Sequence, residues 1–110
     1  MTKNTAPEKH ALDQAKYLVS FISLLSDNTE SYAKAAEEMM NAVNSQPGFI
    51  TAYSARNENG VGITNSYWTD LEAISNWKAE TAHQKIQKQG KRVWYEWYQV
   101  QISEIVRSYE

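Results

Sequence analysis

The 110-residue sequence contains no cysteine, two prolines and four glycines. Without cysteine the chain has no disulfide, no thiolate nucleophile and no thiolate metal ligand. Long apolar runs are also absent, since none approaches the ~20 residues that a membrane-spanning helix needs. The polar residues 1–4 lack the apolar segment of a secretory signal. We therefore expect a cytoplasmic protein with no membrane partner, whose chemistry uses oxygen, nitrogen and aromatic groups.

A large excess of charge of either sign is missing as well. The sequence has 11 Lys and Arg against 13 Asp and Glu, which gives a formal net charge of -2 at pH 7. So small a charge exerts no long-range attraction on nucleic acid, and we expect none as a partner. The sequence shows no glycine-rich phosphate loop and no Ser-His-Asp arrangement. Glu80 and His83 have the spacing of two metal ligands, but no facing carboxylates accompany them, so we predict no metal site.

Apolar periodicity predicts the first half of the fold. Residues 17–25 are apolar at odd and even positions, which predicts a strand covered on both faces. Residues 32–43 carry apolar side chains at helical spacing, which predicts an amphipathic helix. A second strand is predicted over 49–56. Residues 1–14 have few large apolar groups, so we expect a flexible arm or a loosely docked helix before a single domain at 15–110.

The second half begins with a hairpin signal. Asn59-Gly60 predicts a two-residue turn from the second strand into a third strand over 61–68. A last strand is predicted over 95–106, with a bulge after Ile102 where the apolar phase shifts.

Between these strands the sequence predicts a second helix, from about residue 70 toward residue 89. Thr69 and Glu72 form the pattern of a capping box at its start. Leu71, Ile74 and Trp77 are expected to point inward.

The order strand, helix, strand, strand, helix, strand predicts an α+β fold. It is the ferredoxin-like βαββαβ pattern, with an antiparallel four-stranded sheet and both helices on one face. The opposite face would remain largely apolar or aromatic. Burying that face against a second copy of the chain predicts a two-fold homodimer.

Several segments together resemble the antibiotic biosynthesis monooxygenase family. They are residues 46–49, 62–68, 71–74, 77–78, His83, Gly90 and 94–98, within a resemblance that covers residues 17–109. The resemblance implies a dimeric α+β barrel with a pocket in each subunit between the sheet and the second helix. In similar proteins that pocket takes a flat aromatic substrate or haem. With an aromatic substrate, molecular oxygen is used without metal or flavin.

The resemblance leads to a predicted catalytic set of His83, Asn65 and Trp77. His83 has the pKa range to accept a proton near neutral pH, Asn65 offers a hydrogen bond to a ring oxygen, and Trp77 offers a flat apolar surface. We expect all three to line one cavity. Residues predicted to contact the substrate are Tyr67, Trp68 and Trp94.

Each of these residues also has a purely structural explanation. Trp77 lies in phase with Ile74 and fits a core position, Trp68 can hold the second helix to the sheet, and His83 fits a half-exposed helix position. Asn65 shares a strand phase with apolar neighbours and, if buried, needs a protein or ligand partner.

Three functions stay open at this point. The first is oxygenation of an aromatic, polyketide-like or quinol-like small molecule by molecular oxygen, without a cofactor. The second is a haem-binding or haem-degrading monooxygenase, for which the resemblance implies an Asn on the first strand. That strand has Ser20 and Ser23 instead. The third is a non-enzymatic dimer that binds a small molecule.

Overall fold

The computed structural model describes residues 9–27, 29–80 and 94–109. The elements in chain order are α1 Lys9–Asp13, β1 Tyr17–Leu25, α2 Tyr32–Val43, β2 Phe49–Arg56, β3 Val61–Trp68, α3 Leu71–Ala79 and β4 Tyr95–Glu104. The short helix α1 lies inside the segment predicted to be an arm or a loosely docked helix.

The four strands form one antiparallel sheet in the order β2-β3-β1-β4. Crossover helices between β1 and β2 and between β3 and β4 give the ferredoxin-like α+β fold, as the element order predicted. The strands β1 and β3 lie in the middle of the sheet and β2 and β4 at its edges, so β1 has a neighbour on both sides.

Strand alternation separates two sides of this sheet. On the helix-facing side, Trp68 of β3 lies in one buried cluster with Val43 of α2 and Ile74 of α3, and Val19 of β1 packs against that cluster. The residues between them along each strand point the opposite way, on what we call the outer side. The residues of β1 on the outer side are Leu18, Ser20, Ile22 and Leu24.

Helix α3 differs from its prediction at both ends. Asp70, and not Thr69, is the N-cap, because its side chain accepts a hydrogen bond from the backbone N–H of Ala73. At the other end the helix stops at Ala79, where Glu80 takes an extended backbone conformation. The helix predicted toward residue 89 therefore ends earlier, and the part predicted beyond Glu80 lies outside the described residues.

The hairpin and the bulge are also corrected. The β2–β3 loop is four residues long, 57–60, because the Asn57 side chain accepts hydrogen bonds from the N–H groups of Asn59 and Val61. Gly60 closes the loop with a φ of 88°. No register shift follows Ile102; the shift in the pairing of β1 with β4 lies at Leu24 and Leu25, at the start of β4.

Candidate functional site

The helix-facing side of the sheet carries two separate clusters of buried residues. The first consists of Val43, Trp68, Ala73, Ile74 and Trp77. The second consists of Ala35 and Trp94, with Leu25, Tyr32 and Tyr95 packed against it. Met39 of α2 touches both clusters. Among residues 9–27, 29–80 and 94–109 the buried core therefore divides into two parts on this side. The middle of the sheet, between the two clusters, is the candidate site.

Hydroxyl groups occupy that middle region on β2 and β3. We call Ser54, Thr64 and Ser66 the hydroxyl strip. The Ser54 and Thr64 hydroxyls are 2.6 Å apart and hydrogen-bonded. Ser66 Oγ accepts a hydrogen bond of 2.9 Å from the Trp68 indole Nε1. Ser66 Oγ also donates a hydrogen bond of 3.5 Å to the Val19 carbonyl. The Ser54–Thr64 pair uses only one of its two hydroxyl protons within the pair, so it offers a donor and acceptors beside apolar side chains, a combination that small-molecule sites commonly use.

A cation lies at the end of the hydroxyl strip nearest the second cluster. Arg56 ends β2, and its guanidinium crosses Gly62 of β3, where any Cβ would collide with it. Its Nη2 donates to Ser23 Oγ at 2.9 Å and to the Tyr32 hydroxyl at 3.3 Å. Its Nη1 donates to the carbonyl oxygens of Gly60 at 2.6 Å and Ser23 at 3.3 Å. Ser23 is fully buried, so the guanidinium is held by hydrogen bonds to a residue in the interior of the protein.

One aromatic ring lies beside this cation and packs in turn against others: the Arg56 Cζ is 5.9 Å from the centroid of the Tyr32 ring. Tyr32 and Tyr95 meet edge to face with ring centroids 5.9 Å apart, and Phe21 contacts Tyr95 at 5.4 Å. Burial raises the pKa of the Tyr95 phenol above its ordinary value of 10.0, and a hydrogen bond to Tyr32 raises it further, while Arg56 acts in the opposite direction. Tyr95 is therefore a neutral phenol at physiological pH.

The three predicted tryptophans all lie on the helix-facing side. Trp77 and Trp68 share the first cluster, and Trp68 is only 1% exposed. Trp94 belongs to the second cluster, donates from Nε1 to the carbonyl of Glu30 at 2.9 Å and meets Tyr32 edge to face. Their tight packing fits the structural explanation, and contact between these tryptophans and a substrate stays a prediction.

Asn65 and Tyr67 lie on the outer side of the sheet. Asn65 Oδ1 accepts a hydrogen bond of 2.8 Å from Ser20 Oγ, and the Tyr67 ring meets the Tyr53 ring at 6.0 Å. The expectation that Asn65 and Trp77 line one cavity is therefore wrong, because the sheet separates them. Asn65 does share one side of β3 with apolar neighbours, as predicted, but that side faces away from the helices. A catalytic role for Asn65 stays a prediction.

His83, the predicted proton acceptor, lies outside the described residues. Sequence reasoning missed Arg56, Ser23 and Tyr32. One signal was available for Arg56: a glycine inside a strand, here Gly62, often marks the close approach of another group. No spacing rule links residues 23, 32 and 56, since the sheet and α2 bring them together from three elements.

Across 9–27, 29–80 and 94–109, no group of three or more His, Cys, Asp or Glu side chains is placed to hold a metal ion. None of the helices that the structure describes is long and apolar enough to cross a membrane.

Comparison with known proteins identifies the family. Residues 17–89 match the family model described as antibiotic biosynthesis monooxygenase. The chain belongs to the antibiotic biosynthesis monooxygenase family. It is also similar to YqjZ, an uncharacterized protein of Bacillus subtilis, with 41% identity over 91 residues that cover 83% of this chain and 80% of YqjZ.

Solved structures share the fold of this antibiotic biosynthesis monooxygenase family member. SnoaB, a cofactor-independent oxygenase from Streptomyces nogalater, aligns over 86% of this chain and 96% of its own, with a TM-score of 0.73 and 10% identity. Rv0793 from Mycobacterium tuberculosis aligns over 87% of this chain and 100% of its own, with a TM-score of 0.76 and 8% identity. At these identities the likeness establishes the fold and not the substrate.

Proposed function

We propose that the chain is a cofactor-independent oxygenase that acts on a flat, electron-rich aromatic small molecule, as a cytoplasmic homodimer. Family membership supports the reaction class, and SnoaB carries that type of activity on the same fold. The observation that carries the proposal for this chain is the hydroxyl strip, which lies between the first and second clusters of buried residues on the helix-facing side.

The proposed chemistry asks little of the protein. A phenol that has lost its proton can pass one electron to molecular oxygen, and the two radicals then combine at a ring carbon. Loss of water gives a quinone, so one oxygen atom enters the product and the other leaves as water. The protein has to bind the ring, favour its deprotonated form and exclude bulk water.

The site contains groups suited to these tasks. Phe21 and the aromatic side chains of the first and second clusters offer apolar surface to a flat ring. Thr64 lies in the hydroxyl strip and can hydrogen-bond a ring oxygen. His83 remains the predicted proton acceptor.

Oxygen uptake by the purified protein with a panel of naphthols and anthrones tests the proposal. The expected result is protein-dependent uptake that persists after dialysis against a chelator and without added flavin. Thr64→Val keeps the side-chain volume and removes the hydroxyl, and we expect about a tenfold loss of kcat/KM. Ser20→Ala is the matched control, since it removes a hydroxyl from the outer side of the same sheet.

Two other results would replace the proposal. A Soret band that forms with haemin, together with no uptake on any phenol, would indicate a haem protein. Binding of phenols without oxygen uptake would indicate a non-enzymatic binding protein.

The homodimer part of the proposal is supported by the outer side of the sheet. Large apolar side chains there are exposed, namely Ile63 at 46%, Tyr53 at 41% and Trp97 at 47%. Ile63→Lys is expected to weaken self-association in sedimentation velocity, since it would bury a charge in the interface. The matched control is Leu71→Lys, which alters an equally exposed residue on α3. Equal monomer fractions in both variants would reject the outer side as the interface.

A further inference from the structure

The guanidinium of Arg56 has an unusual set of partners. Its four hydrogen bonds go to two backbone carbonyls and two hydroxyls, all uncharged. None of these four partners is a carboxylate. A partly buried positive charge that is hydrogen-bonded but not neutralised attracts an anion more strongly than the same charge in water.

The geometry also limits how a ligand can approach this charge. The Nη1 and Nη2 edges of the guanidinium are occupied, and one of its flat faces lies on Gly62. Arg56 nevertheless keeps intermediate exposure. The Arg56 Cζ also lies 5.9 Å from the centroid of the Tyr32 ring. Because the four hydrogen bonds use Nη1 and Nη2, the Nε–H is the donor that we assign to an anionic ligand.

The position of Arg56 connects it to the candidate site. Arg56 lies two residues after Ser54, and Gly62 lies two residues before Thr64, so the guanidinium follows the hydroxyl strip on the same side of the sheet. A flat molecule over the hydroxyl strip would place one end beside this charge.

We infer that Arg56 is the anion-recognising residue of this site and selects the deprotonated form of an aromatic phenol. The inference rests on the proposed function for the location of the site. It adds that the bound ligand is an anion and that Arg56 is the residue that binds the charged group. Stabilising the phenolate is what the proposed oxygenation requires, because the phenolate and not the phenol donates an electron readily. A purely structural role, tying β1, the hairpin and α2 together, is the alternative that the experiment has to separate.

The test uses 4-nitro-1-naphthol, whose phenolate absorbs visible light, under argon so that no turnover is needed. The apparent pKa of the probe is measured free and with saturating protein. We expect binding to lower it by about one unit or more, equivalent to at least about tenfold tighter binding of the phenolate. Arg56→Lys should keep most of this lowering, and Arg56→Gln should abolish it. Ser20→Ala, which removes a hydroxyl from the outer side of the same sheet, should retain it.

Three results overturn the inference: no binding of the probe, no lowering in the wild-type protein, or an unchanged lowering in Arg56→Gln. If Arg56→Gln fails to fold, side-chain NMR of the wild-type protein decides. The chain has three arginines, 56, 92 and 107, so their Nε–H signals can be assigned with Arg92→Gln and Arg107→Gln. The probe should move the Arg56 signal, and an unmoved signal rejects the inference.

This result is separable from the proposed oxygenase activity. A lowered probe pKa without oxygen uptake on the phenol panel would keep Arg56 as an anion-recognising residue and remove the oxygenase. Oxygen uptake on the phenol panel without any lowering of the probe pKa would keep the oxygenase proposal and reject Arg56 as the anion-recognising residue.

Discussion

Ser20 and Asn65 face each other across β1 and β3 and share a hydrogen bond of 2.8 Å on the outer side of the sheet. Removing either side chain leaves the other without its partner. Because both positions are partly buried, water replaces the lost hydrogen bond only in part. We expect Ser20→Ala and Asn65→Ala each to lower the free energy of unfolding by about 1 kcal/mol. The double variant should cost little more than the larger single change, since the two act on one bond. Urea unfolding at a fixed protein concentration measures all three.

The same variants locate the ligand site. If the ligand binds on the helix-facing side, Asn65→Ala should leave the affinity for 4-nitro-1-naphthol within about twofold of the wild type, because the sheet lies between them. A tenfold loss in Asn65→Ala but not in Ser20→Ala would return Asn65 to the catalytic role that the sequence predicted.

Gly48 and Gly60 both have positive φ, 85° and 88°, but differ in the space around them. A Cβ on Gly48 would collide with the Cβ of Ala73, whereas a Cβ on Gly60 would meet Leu24 Cδ1 at an ordinary 3.5 Å. We expect Gly60→Ala to cost about 1 kcal/mol from backbone strain alone. Gly48→Ala should cost about 1–3 kcal/mol more, since it adds overpacking.

A double variant separates the two contributions at Gly48. Adding Ala73→Gly removes the colliding methyl group, so Gly48→Ala should cost less in that background. Thermal unfolding of the four proteins in this cycle gives the comparison. An equal cost of Gly48→Ala in both backgrounds would show that no contact with Ala73 exists.

Sequence periodicity was sufficient for the architecture because each long element buries one face. The apolar stripe over 32–43 and the turn residues around Gly60 gave element types and approximate ends that the structure reproduces. The errors are local. Asp70 and Thr69 are both good capping residues, and tertiary placement of α3 decides which one caps.

The candidate site was harder to predict because strand phase does not say which side the helices cover. Asn65 and Thr64 are neighbours in the sequence and lie on opposite sides of the sheet. Arg56 gave no signal of its own, since an arginine at a strand end is ordinary. Its importance arises from its contacts with Ser23 and Tyr32, which are distant in the sequence.

Leu71 and Trp77 of α3 were both predicted to point inward. The structure confirms this for Trp77 and contradicts it for Leu71. Leu71 is 51% exposed, whereas Trp77 is 8% exposed within the first cluster. Trp77→Ala should lower the free energy of unfolding by about 3–5 kcal/mol through the cavity that it leaves. Leu71→Ala, the matched control on the same helix, should change it by no more than about 0.5 kcal/mol. Similar losses in chemical denaturation would mean that α3 is rotated relative to this structure.

Asp70 gives α3 a pH-dependent cap. The pKa of its carboxyl is held below the ordinary value of 3.8 because the Ala73 N–H donates to it, with the Thr69 hydroxyl as a second donor. A carboxyl whose pKa is lower in the folded chain adds stability above its unfolded pKa, and that stability disappears as the pH falls through the folded pKa.

We therefore expect Asp70→Ala to lower Tm by several degrees at pH 7. The Tm difference from the wild type should narrow as the pH falls below about 4. Asp70→Asn is the matched control, because an amide oxygen can also accept from the Ala73 N–H but carries no charge. Its Tm difference from Asp70→Ala should stay constant over the same pH range, since neither residue titrates. A difference between wild type and Asp70→Ala that does not change with pH would show that the charge of Asp70 adds nothing to the hydrogen bond.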